Sequence, residues 1–444
     1  MGELITDNRQ STTGAEQINL IKGTNRPYLW LPTYYIPSGL PYVTVILISG
    51  IMYKNLGISN IEIAFYTSWL YLPWTLKPIW SPIVQMYGDN KHWIITMQSI
   101  MAVLFASIIF LLPTANFFQY TLAVFWVMAF ASSTHDISGD GLYLEALSKE
   151  QQAFYVGWAA TLYRIAMLVG QGGLVTLVGI LFHTYSIKVS YSIVFGGVAL
   201  FFALIVIYNS FMLPVPKKFN TDNKPHQPLK YFCSEFVEII VTFFKKKNIV
   251  IFILFLLFYR FAESQLSKIS SLFMLDSVKV GGLGLSTADV GIIYGTFGVL
   301  ALTIGGITSG YLIYRYGLKK MIWISVLAIN IPDVVYVYMS YFQPSSMVII
   351  SLCVVVEMLG YGIGFSAFML YMMKISRGKY KTAHMAICTA FMALGMMIPG
   401  MFSGYIQNYL GYKHFFIWIM IATIPSFIIT KFIPIEKNEF MKTV

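Results

Sequence analysis

Long apolar stretches separated by short polar turns recur along the whole 444-residue chain. Twelve of them reach the roughly 20 residues a helix needs to cross a hydrocarbon core. They are 30–53, 61–86, 94–113, 119–146, 153–182, 189–213, 249–276, 287–313, 321–341, 346–373, 380–406 and 412–433, spans one to twelve. Most separations are short, which predicts antiparallel neighbours. One gap breaks the rhythm: residues 214–248 are rich in Lys, Pro and polar side chains and leave six spans on either side. The pattern predicts an all-α polytopic membrane protein: a tail over 1–29, a six-helix bundle over 30–213, a linker over 214–248, a second six-helix bundle over 249–433 and a tail over 434–444. Within the linker, apolar residues at helical spacing over 232–244 run into Lys245, Lys246 and Lys247. They suggest a helix lying on the inner membrane face; the alternative is an extension of span seven. The first 26 residues carry Glu3, Asp7 and Glu16 and lack the basic-then-apolar layout of a signal peptide.

Composition narrows the class. The chain is 57% hydrophobic and 11% charged, against about 45–50% and 25% for soluble domains. A soluble enzyme, a nucleic-acid-binding domain and an anchor bearing a large soluble head are excluded. The net charge of +11 is mostly topological. Of the 30 Lys and Arg, 22 fall in segments on one side, and four (Lys54, Lys188, Lys279 and Lys413) fall on the other. The basic-rich side is expected to be cytoplasmic, and with it both termini. Cys233, Cys353 and Cys388 are widely spaced and imply neither a disulfide framework nor a zinc site. The six histidines are scattered and no phosphate-cradling glycine loop appears, so neither catalysis nor ATP drive is expected and no cofactor is implied.

The other four basic residues, Lys77, Arg164, Arg260 and Lys268, lie inside spans. Ionisable residues there are costly and are functional candidates. At about 1.5 Å of rise per residue, Asp136 lies roughly 15 Å from the inner end of span four and Arg164 roughly 16 Å from that of span five. They are level on neighbouring antiparallel helices. Asp140 is one turn below Asp136, and Lys77 lies about 14 Å deep in span two. Arg260 and Glu263 sit one turn apart on span seven, with Lys268 further out. Asp333 and Glu357 fall near mid-membrane in spans nine and ten, and His384 near the inner end of span eleven. The basic groups suit an anionic substrate, arginine offering a two-pronged contact to a carboxylate. Buried acids suit proton carriage. The structural alternative is that Asp136–Arg164 and Arg260–Glu263 are ion pairs that fix helix packing. Trp69, Trp74, Trp80 and Trp158 offer faces for sugar rings, although most aromatic residues are expected at interfaces or against lipid.

Two loops carry a shared pattern. After span eight the chain reads Gly310-Tyr311-Leu312-Ile313-Tyr314-Arg315-Tyr316-Gly317-Leu318-Lys319-Lys320, and after span two Ser81-Pro82-Ile83-Val84-Gln85-Met86-Tyr87-Gly88-Asp89-Asn90-Lys91. They resemble the signature loop of the major facilitator superfamily, with Tyr314 and Gln85 where an acid is usual. Two six-span halves joined by a basic linker are likewise that superfamily's layout, with substrate bound between the halves near the midplane. The glycines permit sharp turns, and Arg315, Lys319 and Lys320 are candidate gating residues. Plain positive-inside topology explains the lysines equally well.

Within the spans, six fragments resemble the AmpG family of muropeptide permeases. Pro37-Ser38-Gly39-Leu40-Pro41 is like S-G-L-P, and Thr75-Leu76-Lys77-Pro78-Ile79-Trp80-Ser81-Pro82 is like T-L-K-x-x-W-A-P. His135-Asp136-Ile137-Ser138-Gly139-Asp140-Gly141 is like Q-D-I-x-x-D-A, and Tyr163-Arg164-Ile165-Ala166-Met167-Leu168 is like Y-R-x-A-M-L. Tyr259-Arg260-Phe261-Ala262-Glu263 is like Y-K-x-G-D. Glu357 precedes a glycine-rich run, and Thr382-Ala383-His384-Met385-Ala386 is like T-A-T-Q-Y-A. Their order and spacing carry the likeness across all twelve spans. His135 and His384 stand where the family has glutamines.

The resemblance implies proton-driven import, from periplasm to cytoplasm, of N-acetylglucosaminyl-1,6-anhydro-N-acetylmuramic acid and its peptide forms. On that reading Arg164, Lys77 and Arg260 meet acidic groups of the substrate, and Tyr163 and Trp158 contact its sugars. Asp136, Asp140, Glu263 and Glu357 handle the proton. The expected partners are a small glycan or glycopeptide, protons and the bilayer, with no nucleic acid, and the expected state is a monomer in the inner membrane working by alternating access. Three other readings stand beside it: a symporter for another acidic or amino-sugar disaccharide, an acyl-CoA or lipid-headgroup carrier, and a non-transporting receptor or peptidoglycan sensor.

Overall fold

The computed structural model describes residues 20–22, 26–86, 89–216 and 229–436. Most of the N-terminal tail, Tyr87 and Gly88 of the loop after span two, residues 217–228 of the linker and the tail after residue 436 lie outside the described residues. Among these, ten helical stretches are long and apolar enough to cross a membrane. One of them, Lys381–Phe432, is two spans folded at Gly411, whose φ of 69° reverses the chain. Residues 60–86 make a further span, broken at Leu70 and Tyr71. The protein is an all-α polytopic membrane protein with the twelve spans that hydropathy predicts. A two-residue antiparallel pairing, Leu20–Lys22 with Val215–Pro216, adds a short tie that hydropathy does not predict.

The spans are irregular where the sequence makes them so. Span one carries Pro32, Pro37 and Pro41 and passes through a wide turn at Thr44–Ile48. A proline inside a helix removes one N–H and frees the carbonyl four residues earlier. A bilayer supplies no water, so the protein must satisfy that carbonyl itself. For Pro37 the freed carbonyl is that of Thr33, and the side-chain amides of Gln98 and Asn209 both donate to it, each at 3.2 Å. Span nine is similarly interrupted at Ile331–Asp333 around Pro332, and span seven at Tyr259 and Arg260. Gly317, with φ 80° and ψ 152°, turns span eight directly into span nine, the sharp turn that the loop pattern predicts.

Residues Leu229–Phe244 form a helix of their own, parted from span seven by a turn in which Asn248 is left-handed. Its Phe243 is buried against Phe391, and Lys246 caps the inner end of span ten by donating to the carbonyls of Ile375 and Arg377. The Tyr380 hydroxyl and the Lys379 ammonium hold the exposed Glu238 carboxyl below its usual range. The linker helix is thus pinned to the inner ends of spans ten and eleven.

We call the basic-loop end of the molecule inner and the opposite end outer. At the outer end the two halves meet closely. Span five crosses span eight through small residues: a Cβ on Gly295 would come within 2.2 Å of the Gln171 carbonyl, and one on Gly179 within 2.2 Å of the Ala288 nitrogen. Small residues of this kind let helix backbones approach in a membrane. Beside this seam lies a polar latch. Lys54 of span one pairs with Asp276 of span seven at 2.6 Å. Asn60 donates to Asp276, Gln407 and Tyr412, and Tyr412 donates to Asp276 at 2.5 Å. Both ion-pair partners are mostly buried, so removing one leaves an uncompensated charge worth about 3 kcal/mol or more. Lys54→Met is therefore expected to favour opening of the outer end. Spin labels at Ile187 and Phe342, on exposed outer ends of the two halves, should move apart in that variant, and equally in Gly295→Val.

Candidate functional site

Below the seam the halves separate and enclose a cavity of about 370 Å³. Its walls are apolar and aromatic, with Tyr42, Tyr71 and Trp74 from the first half and Tyr294, Tyr361 and Phe365 from the second. Polar side chains converge on it: Lys77, Gln171, Arg260, Glu263, Ser267 and Lys268. A few convergent polar groups in an apolar cleft of this size are the usual make-up of a small-molecule site. A second cavity of about 550 Å³ continues it towards the inner end, between spans two and four and spans ten and eleven. Trp74, Lys77 and Thr389 line both. The molecule is closed outside and open inside.

Breaks in the helices aim the key side chains. Arg260 sits at the interruption of span seven and is 7% exposed. Its guanidinium donates to the Tyr361 hydroxyl and lies over the rings of Tyr361 and Phe365, 5.1 Å from each centre. Its Nε has no hydrogen-bond partner. Lys268, 9% exposed, donates to Thr67 at 3.0 Å across the two halves and lies over Tyr71. Among the described residues neither cation is within ion-pair distance of a carboxylate. The cavity therefore offers two nearly dry positive charges to an anion.

Neither of the two ion pairs raised as the structural alternative forms among the described residues. Arg164 does not meet Asp136; its Nη1 donates to Thr303 of span eight, 3.2 Å away in the other half. Equal depth does not fix the rotation of a helix about its axis, and span five turns Arg164 towards span eight. Asp136 lies instead beside Lys77, Ser38 and Trp74. Arg260 and Glu263 are one turn apart but not ion-paired, because Arg260 bends over Tyr361. Lys77 reaches Asp140 at 3.9 Å, and the Asp140 side chain is 67% exposed in the inner cavity.

Tyr163, Arg164, Asp136 and Glu357 are not among the lining side chains, and neither is Trp158, which is 57% exposed outside both cavities. Trp74 is the tryptophan that forms the cavity wall. Arg315 contacts Tyr311 and Tyr316 of its own helix, while Lys319 and Lys320 are exposed beyond the turn. His384 meets Thr242 and the Ile239 carbonyl of the linker helix, each at 3.3 Å. Lys268 and Asp333 were visible in the sequence as membrane charges, but nothing there linked them to neighbours.

The motif around Asp136 is held from three sides. His135 is fully buried, its Nδ1 3.1 Å from the Ser38 hydroxyl and its Nε2 3.1 Å from the Gln98 amide nitrogen. Gln98 accepts from Asn209 through its carbonyl, so its amide donates to His135, and His135 Nδ1–H in turn faces Ser38. Gly139 leaves room for the Tyr34 ring, whose hydroxyl donates to the Asp136 carbonyl at 3.3 Å; any Cβ there would overlap that ring.

The family model of the Major Facilitator Superfamily matches residues 35–398. The chain belongs to the Major Facilitator Superfamily. This superfamily transporter is 24% identical over 414 residues to a Rickettsia conorii protein named AmpG 4, covering 91% of this chain and 95% of that one. It is 24% identical over 402 residues to the anhydromuropeptide permease of Escherichia coli K12, covering 88% of this chain and 76% of that one. Its fold matches a crystal structure of a D-xylose–proton symporter with a TM-score of 0.68 at 10% identity, over 93% and 97% of the two chains. A crystal structure of the nucleoside transporter NupG matches with a TM-score of 0.67 at 14% identity, over 91% and 99%. These structural likenesses bear on the fold alone. The protein is a secondary-active transporter rather than an enzyme, a multi-pass protein consistent with bacterial inner-membrane transporters.

His135→Leu strands Ser38 and Gln98 beside Asp136. It is expected to cost about 1–3 kcal/mol, the desolvation cost of unmet buried polar groups, read as a lowered melting temperature in detergent. His135→Gln keeps both a donor and an acceptor and should melt near the parent.

Proposed function

We propose that this transporter imports anhydromuropeptides, the N-acetylglucosaminyl-1,6-anhydro-N-acetylmuramic acid core and its peptide forms, in symport with protons. The observation that carries the reading is the pair of buried cations, Arg260 and Lys268, facing the cavity without a carboxylate partner among the described residues. A substrate carboxylate supplies the missing charge, and Arg260 receives it with a planar donor group. The rings of Trp74, Tyr42 and Tyr71 offer flat apolar faces to the C–H surfaces of sugars. Relatedness over nearly the whole chain to proteins named AmpG and anhydromuropeptide permease favours this substrate class over the other anions.

In this reading the basic-loop side faces the cytoplasm, with both termini. The open inner cavity is then the releasing state, and the outer seam and latch part to admit substrate. Lys77, which touches both cavities, passes the anion from the central site to the inner vestibule beside Asp140 and Asp136. Arg164 acts across the seam to Thr303, holding spans five and eight in register as the halves rock. The proton gradient drives the cycle, with no cofactor, and the working unit is a monomer.

The test is uptake of labelled anhydromuropeptide into proteoliposomes under an imposed proton gradient, with unlabelled competitors. Accumulation should depend on the gradient and be displaced by the unlabelled compound. Arg260→Met and Lys268→Met should each weaken apparent affinity about tenfold to a hundredfold, the worth of a charge-assisted hydrogen bond. Affinity for the methyl ester of the same substrate should change little. Displacement by acetyl-CoA or by another acidic disaccharide, with none by anhydromuropeptide, would reject the substrate assignment.

A further inference from the structure

Against one wall of the central cavity lies a second group of charges, of which Glu263 lines the cavity and the others lie behind it. Glu263 of span seven, Asp333 of span nine and Glu357 of span ten bring carboxylate oxygens within 4.8 Å of one another. The three residues are 4%, 1% and 3% exposed. Four of their oxygens, both of Asp333 and one each of Glu263 and Glu357, have no hydrogen-bond donor. The Tyr336 hydroxyl, fully buried, is aimed at Glu357 and makes no hydrogen bond of full geometry with any other group. The groups facing the cluster are Arg260 on span seven, Tyr294 on span eight, Tyr336 on span nine, Tyr361 on span ten and Tyr71 on span two. Arg260 is committed to Tyr361 and lies beyond ion-pair distance of all three acids.

Three full negative charges at this spacing, away from water and without a paired cation, repel one another strongly, and a buried unpaired charge is itself costly. The cluster therefore requires bound positive charge. Protons fit the site, because a protonated carboxyl donates to its neighbour and so meets two of the unpartnered oxygens at once. The interruption of span nine at Pro332 brings Asp333 into this group, and interrupted helices at mid-membrane are where transporters place coupling ions.

We propose that Glu263, Asp333 and Glu357 form one proton-sharing site in the second half, with Glu263 as its connection to the substrate cavity. Glu263 lines that cavity; Asp333 and Glu357 are sealed behind it. Asp333 is thereby a proton-holding residue, and Asp140, exposed in the inner vestibule and near Lys77, lies outside the site. Glu263 and Arg260 lie on consecutive turns of span seven, so the cavity presents an acid and the anion's counter-charge together. An arriving substrate anion draws Arg260, and the neighbouring Glu263 must then be neutral for both to be accommodated.

The assignment rests on the proton-symport reading for its role in transport, but its test does not need a substrate. Infrared difference spectra of the full chain in nanodiscs, taken between neutral and alkaline buffer, read the carbonyl stretch of protonated carboxyl groups. The wild type should show such bands. Asp333→Asn and Glu357→Gln, each nearly isosteric, should each remove part of them and lower the number of protons released by about one, while Asp140→Asn should not. If one variant fails to fold, the other carries the test. Unchanged bands in the folded variants would overturn the site. So would binding of radioactive sodium or calcium to the wild type that Asp333→Asn or Glu357→Gln abolishes. Uptake separates this from the wider reading: if the bands behave as expected and accumulation ignores the proton gradient, proton symport fails while the proton site stands.

Discussion

A hydrocarbon core gives a buried polar group no water, and the arrangement of this protein follows from that constraint. Each break in a span exposes backbone or charge that only a protein neighbour can meet. The carbonyl freed by Pro37 is met by Gln98 and Asn209, which lock spans one, three and six together and, through His135, hold span four beside them. Where the neighbours do not meet the demand, the remainder faces the cavity. Arg260, Lys268 and Glu263 are in that position, while Asp333 and Glu357 lie sealed behind them.

The two ends of the molecule divide the work. At the outer end, glycines let spans five and eight touch backbone to backbone, and Lys54, Asn60, Asp276 and Tyr412 close the remaining gap with polar contacts. At the inner end, a cavity lined by spans two, four, ten and eleven leaves Asp140 exposed. A seam made of small residues and reversible polar pairs suits a closure that must open, because it buries few large apolar side chains that would have to be exposed again. The linker helix is fastened to the second half by Phe243 and Lys246.

The site joins residues that lie far apart in the chain. Lys268 reaches Thr67 across the two halves, and Tyr71 and Trp74 owe their places in the wall to the break in span two. The cluster of Glu263, Asp333 and Glu357 needs three spans of the second half and the interruption at Pro332. On the proposed reading, substrate and proton sites are neighbours through one turn of span seven, a short physical route for coupling.

The number of spans and the identity of the four intramembrane cations were legible in the sequence, because hydrophobic length and charge are local properties. What each charge touches was not. Asp136 and Arg164 are level by depth yet face different neighbours, since depth says nothing of a helix's rotation about its own axis. Trp74 rather than Trp158 forms the cavity wall for the same reason. Helix rotation, the crossing of spans five and eight and the meeting of three acids are settled by packing between distant segments, and that is a property of the tertiary structure alone.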